Sequence, residues 1–163
     1  MDSSQLQSKF GFLIVNDRED LRRLLGLFTK AQLEIPDENI LKTDGLDMEK
    51  IDELLTELYN KGLHPVILLD EYLGTDKTSG TKVFEHVVEK FPEGGLAVGS
   101  SNLNPNDQCR LWQSLIAQRE TKWEIAPLKD FSFEGIDELK KPMETFLEKR
   151  EKQEGDSELG NIT

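Results

Sequence analysis

Cysteine is almost missing from this chain: Cys109 is the only one among 163 residues. No intramolecular disulfide can form, and a reducing, cytoplasmic location fits. Histidine is scarce too, and His64 and His86 show no spacing that suggests a metal pair. No apolar run reaches the roughly 18 residues of a membrane span. The opening MDSSQLQSK lacks the apolar centre of a secretory signal. Positive charge is in short supply: 20 Lys and Arg stand against 32 Asp and Glu, a net charge of −12. Non-specific nucleic-acid binding needs a basic surface, and anionic lipid attracts basic segments. The balance therefore argues against both, and suits a basic partner or a cation. Dinucleotide and P-loop glycine patterns are absent, and Gly94-Gly95 reads as a turn.

What the chain does have is alternation. Short apolar runs read as strands near 10–16, at Ile40–Thr43, His64–Leu69, Leu96–Gly99 and Trp123–Leu128. Between them lie helical patterns. Leu21, Leu24, Leu25 and Phe28 share one face, as do Met48, Ile51, Leu54, Leu55 and Leu58. Val83, Phe84, Val87, Val88 and Phe91 mark the next helix, and Leu111, Leu115 and Ile116 the one after. Asp47 suits an N-cap and Gly62 a C-terminal stop. Ile136, Leu139, Met143, Phe146 and Leu147 mark a last helix that either kinks or begins at Pro142. The pattern predicts an α/β domain over 10–150: a doubly wound, five-stranded parallel sheet with helices on both faces, in a flavodoxin-like arrangement. Residues 1–9 read as a polar lead-in, and the acidic stretch 151–163 as a disordered tail. His64–Leu69 is the most continuous apolar run and belongs at the centre of the sheet.

In such a sheet all strand C-termini share one edge, which is where ligands bind. Asn16-Asp17 follow the first strand, Asp70 ends the third, Ser100-Ser101 the fourth and Lys129 the fifth. A carboxylate closing a strand as apolar as PVILL needs partners, since an isolated buried charge is costly. Asp17 can share Mg²⁺ with Asp70, because that ion takes a few carboxylates plus waters and phosphate oxygens. Ser100 can donate to a phosphoryl oxygen and Lys129 can pair with it. Phosphoryl transfer asks the protein for little more than this positioning and charge.

On these residues the chain resembles the receiver domains of two-component response regulators, over roughly 10–150. LIVNDRED carries Asn16-Asp17 where that family has an acidic pair. VILLDEYLG carries Asp70 where it has its phosphoacceptor. LAVGSSN places Ser100 30 residues on (100 − 70), and PLKDF places Lys129 at the family's lysine. The resemblance implies a stand-alone, phosphorylatable signalling domain rather than an enzyme, beyond self-catalysed transfer and dephosphorylation. Asp70 takes phosphate from a histidine kinase or phosphotransfer protein. Asp17 holds Mg²⁺ directly, Asn16 through a water and Tyr72 through its main-chain carbonyl. Ser100 and Lys129 bind the phosphoryl group, and small Ser101 leaves the acceptor accessible. Output passes to a downstream protein target, without nucleic acid or membrane, from a monomer or weak dimer.

The chain departs from the family in four places. Asn16 replaces an acid, and Asp130 stands where proline usually follows the lysine. Ala126 stands where many receivers carry a switch aromatic, with Trp123 nearby but out of register. The interval of 29 residues (129 − 100) before Lys129 is long. The departures at Asn16, Ala126 and Asp130 favour an alternative reading, a degenerate receiver serving as a phosphorylation-independent interaction module. A phosphatase using a strand-end aspartate needs a second acid two residues on, where Tyr72 stands. A flavin-type binder needs a phosphate loop where NDREDL stands.

Overall fold

A computed structural model describes residues 3–70, 73, 79–100, 105–127 and 130–162. Side chains are described for 6–70, 73, 79–99, 110–126 and 130–153. The strands are β1 (Phe10–Val15), β2 (Ile40–Thr43), β3 (His64–Asp70), β4 (Leu96–Ser100) and β5 (Glu124–Pro127). They form one five-stranded sheet in the order β2-β1-β3-β4-β5, and every pairing is parallel. β3 takes the central place that its apolar run requires. Its neighbours cover both edges, so its side chains meet apolar layers above and below.

The period of two along a strand sends alternate residues to opposite faces. Phe12 and Ile14 of β1 pack with Val66, Leu68, Val98 and Ala126 in one layer. Leu13 and Val15 pack with Ile67, Leu69 and Ala97 in the other. Helix α2 (Glu19–Leu33) closes the first layer, together with α6 (Phe133–Asp137) and α7 (Lys140–Ile162). Helices α3 (Met48–Asn60), α4 (Gly80–Lys90) and α5 (Pro105–Ala117) close the second. Local chemistry sets several boundaries. The Asp47 carboxylate accepts the amides of Glu49 and Lys50 at the start of α3, and the Ser79 hydroxyl accepts that of Lys82 at the start of α4. Gly94 has φ +83°, and a Cβ there would collide with the Lys122 carbonyl, so the turn into β4 needs glycine.

Three features differ from the sequence reading. Residues Ser3–Lys9 form helix α1, and its Leu6 is 2% exposed beside Phe10. A single apolar side chain gives no periodicity, which hides this helix from sequence analysis. The last helical pattern is two helices. Ser132 caps α6, and α7 begins at Lys140, so Pro142 sits in a first turn where the missing N–H costs nothing. The stretch expected as a disordered tail continues α7 to Ile162. Its Glu, Lys and Gln are good helix formers extending an already nucleated stem. On two helices the buried face is turned by a residue. Trp112 is 1% exposed and Leu111 51%; Leu25 is 3% exposed and Leu24 42%.

Candidate functional site

The sheet brings the predicted strand ends together. Asp70 and Ser100 are register partners on β3 and β4. Val15 pairs with Leu69 on one side and Thr43 on the other, so Asn16 follows beside Asp70. Asn16 is 2% exposed, Asp70 is half-buried and Asp17 is exposed. Lys129, Tyr72 and Ser101 lie outside the described residues, and Ser100 is described by its strand position alone.

Every polar group of buried Asn16 has a partner. Its amide N–H donates to the Thr43 carbonyl at 3.1 Å, continuing the β1–β2 ladder. Its carbonyl accepts the Arg22 guanidinium at 2.6 Å. Its side-chain Oδ1 accepts the Arg18 amide at 3.0 Å, an Asx turn that leads into α2. Its Nδ2 donates to Asp70 Oδ2 in a long bond of 3.4 Å. Asp70 has a further interaction besides this one. Arg22 was not singled out in the sequence. Only its place one turn into α2, on the face toward β1, could have marked it. Glu19 and Asp20 occupy the first turn of α2, where the helix dipole favours acids. A hydrogen bond from Arg18 holds the exposed Asp20 carboxyl below its usual range.

The floor of this edge is apolar and tight. Gly45, in the turn after β2, has φ +84°, and a Cβ there would meet Val15 Cγ1 at 2.6 Å and Leu73 Cδ1 at 3.1 Å. Ala126, at the position where many receivers carry a switch aromatic, is buried in the α2–α7 layer. Trp123 faces the other layer, with its indole N–H on the Phe91 carbonyl at 2.7 Å. Among the described residues, the indole tied to the start of α4 is instead Trp112. It stacks on Phe84 at 4.6 Å and donates to Thr81 Oγ1 at 3.2 Å in the first turn of α4.

Magnesium, which the fold family implies, wants hard oxygen donors. Asp17 and Asp70 supply carboxylates at adjacent strand ends and fit that chemistry. Among the described residues no group of three or more His, Cys, Asp or Glu forms a metal cluster.

A second ionic cluster lies elsewhere. Asp52 of α3 meets His86 Nε2 at 2.7 Å and the Lys90 ammonium at 2.5 Å, both from α4. Burial alone would raise the Asp52 carboxyl, but hydrogen bonds from Lys90 and His86 and their charges hold it below its usual range. His86, which showed no metal-pair spacing, thus fastens α3 to α4, and no short-range spacing announces a pair so far apart in sequence.

No protein-family model matches the chain, and no curated protein sequence matches it either. Solved structures do. The receiver domain of NtrX from Brucella abortus superposes with a TM-score of 0.53 at 16% identity, covering 81% of this chain and 96% of that one. A two component response regulator from Cytophaga hutchinsonii gives 0.58 at 15% identity, covering 85% and 98%. NtrX from Brucella abortus in complex with ADP gives 0.50 at 19% identity, covering 89% of this chain and 29% of that chain. The architecture is the doubly wound, flavodoxin-like α/β class with its carboxylates at the strand C-termini. Within that class, the chain has the receiver-domain fold of response regulators. Among the described residues no helix is long and apolar enough to cross a membrane.

Proposed function

We propose that the chain is a response-regulator receiver, phosphorylated on Asp70 in the cytoplasm. The observation that carries this reading is Asp70 itself. It closes the central strand, beside Ser100 in register on β4 and beside the Asn16 amide at the end of β1. In the proposed reaction an Asp70 carboxylate oxygen attacks the phosphorus of a phosphohistidine from a histidine kinase or phosphotransfer protein. An oxygen–phosphorus bond forms, the nitrogen–phosphorus bond breaks, and a proton from solvent goes to the leaving imidazole. Asp17, Asp70 and the Tyr72 carbonyl would hold Mg²⁺, which when bound neutralises charge on the transferring group. Ser100 and Lys129 would take the phosphoryl oxygens by hydroxyl donation and point charge. The new dianionic group then biases an equilibrium between two arrangements of the surrounding elements. Output goes through a protein partner, in keeping with the acidic surface.

Intact-mass measurement after incubation with acetyl phosphate and Mg²⁺ tests this. Wild type gains one phosphoryl adduct and Asp70→Asn gains none. Labelling of Asp70→Asn to the same extent, or no adduct on wild type at any Mg²⁺ concentration, refutes the reading.

A further inference from the structure

We propose that Asn16 is a positioning residue that holds the Asp70 carboxylate by a side-chain N–H, making the site ordered without a divalent cation and weak in its affinity for one. The inference rests on the assignment of Asp70 as acceptor and concerns how that acceptor is kept in place.

The partners of the amide fix its orientation. Nitrogen and oxygen of an Asn side chain are told apart by their partners. The Arg18 backbone N–H points at one of them from 3.0 Å and requires an acceptor, which fixes that atom as Oδ1. The other atom is then Nδ2, and it faces Asp70 Oδ2 at 3.4 Å. The side chain cannot turn to present its oxygen to Asp70 without setting two N–H groups against each other. The backbone cannot shift either: the Asn16 N–H is tied to Thr43 and its carbonyl to Arg22. Asn16 itself is 2% exposed, so water reaches these bonds only from the side of their partners. Asn16 therefore shows the site a donor, and donors repel cations.

An acid at the same position would behave oppositely. In Asn16→Asp, one carboxylate oxygen of the new side chain could still accept the Arg18 amide. The other would face Asp70 as like charge against like charge. Two carboxylates at that separation are unfavourable unless a cation lies between them. The Asn16 amide supplies from within the chain part of the neutralisation that a cation would otherwise provide.

The test is a Mg²⁺ titration followed by calorimetry and by ¹H–¹⁵N chemical shifts, on wild type, Asn16→Asp and Asn16→Ala. Expected for wild type is binding no tighter than the millimolar range, with the Asn16 side-chain NH₂ resonances sharp and shifted in metal-free buffer. Asn16→Asp binds about ten- to hundred-fold tighter, the range over which groups around a metal's ligands change affinity. Its melting temperature falls below wild type without Mg²⁺ and recovers with it. Asn16→Ala loses stability, and Mg²⁺ restores the part that came from holding Asp70; a loss wholly indifferent to Mg²⁺ marks a plain structural role and overturns the proposal. Wild-type binding in the micromolar range overturns the proposal even if neither variant folds, and so does equal affinity in wild type and Asn16→Asp. Failure of phosphorylation with these metal results intact refutes the acceptor reading instead.

Discussion

Truncating Phe84 to alanine tests how the acceptor edge is supported. Phe84 is fully buried in the second turn of α4. It stacks on Trp112 of α5 at 4.6 Å and meets Trp123 edge-on at 6.4 Å. Removal of a buried Phe side chain costs about 3–5 kcal/mol, combining lost transfer energy with the cavity left behind. The aromatic geometry adds about 0.5–1.5 kcal/mol beyond area, and this site cannot collapse easily because two indoles hold its walls. The expected loss is therefore at the upper end, about 4–5 kcal/mol. That is a large part of the roughly 5–15 kcal/mol by which folded domains are stable. For a chain of this size the melting temperature should fall by about 8–20 °C. Urea unfolding followed by circular dichroism and by tryptophan fluorescence measures it. The folded variant should also show a changed native emission, since both indoles lose their shared neighbour. A loss below about 2 kcal/mol with unchanged native emission would refute the packing argument, because Leu→Ala truncations in tight cores already exceed that.

Gly94→Ala should destabilise by more than the roughly 1–2 kcal/mol of a left-handed L-residue, because its Cβ collides with the Lys122 main chain; chemical denaturation reading less than about 1 kcal/mol would count against it. Asp52→Asn should flatten the acid limb of the stability curve. The Asp52 carboxyl is held low in the folded state, so its ionic contribution is present above the unfolded value near 3.9 and is lost as pH falls through the lower folded value. Melting temperatures over the acid range up to neutrality check this, and identical acid limbs in variant and wild type refute it.

Much of the fold was legible because it rests on local signals. The run HPVILLD, the β2 segment ILKT, the Asp47 cap and the Gly62 stop each carry their structure within a few residues. The order of strand-end residues was legible for the same reason: a parallel sheet puts all C-termini on one edge whatever the loops do. The register of α5 and α2 was harder. LW and LL pairs give two adjacent apolar residues, and only packing against the sheet decides that Trp112 and Leu25 go in. Helix α1 hangs on Leu6, and α7 outruns its apolar stripe, so periodicity sees neither limit. The Asn16 contacts were illegible for a different reason. Asn16 reads as a missing acid, and only the fold shows its amide turned toward Asp70, with Arg22 and Thr43 holding the backbone behind it.

The sheet divides the aromatic side chains unevenly. Both indoles lie among α3, α4 and α5, whereas Phe10, Phe12 and Phe146 fill the opposite layer. To a spectroscopist the molecule is thus half dark. Intrinsic emission follows events on the side of α4 and α5, and rearrangement beneath α2 and α7 passes unseen unless a label is placed there.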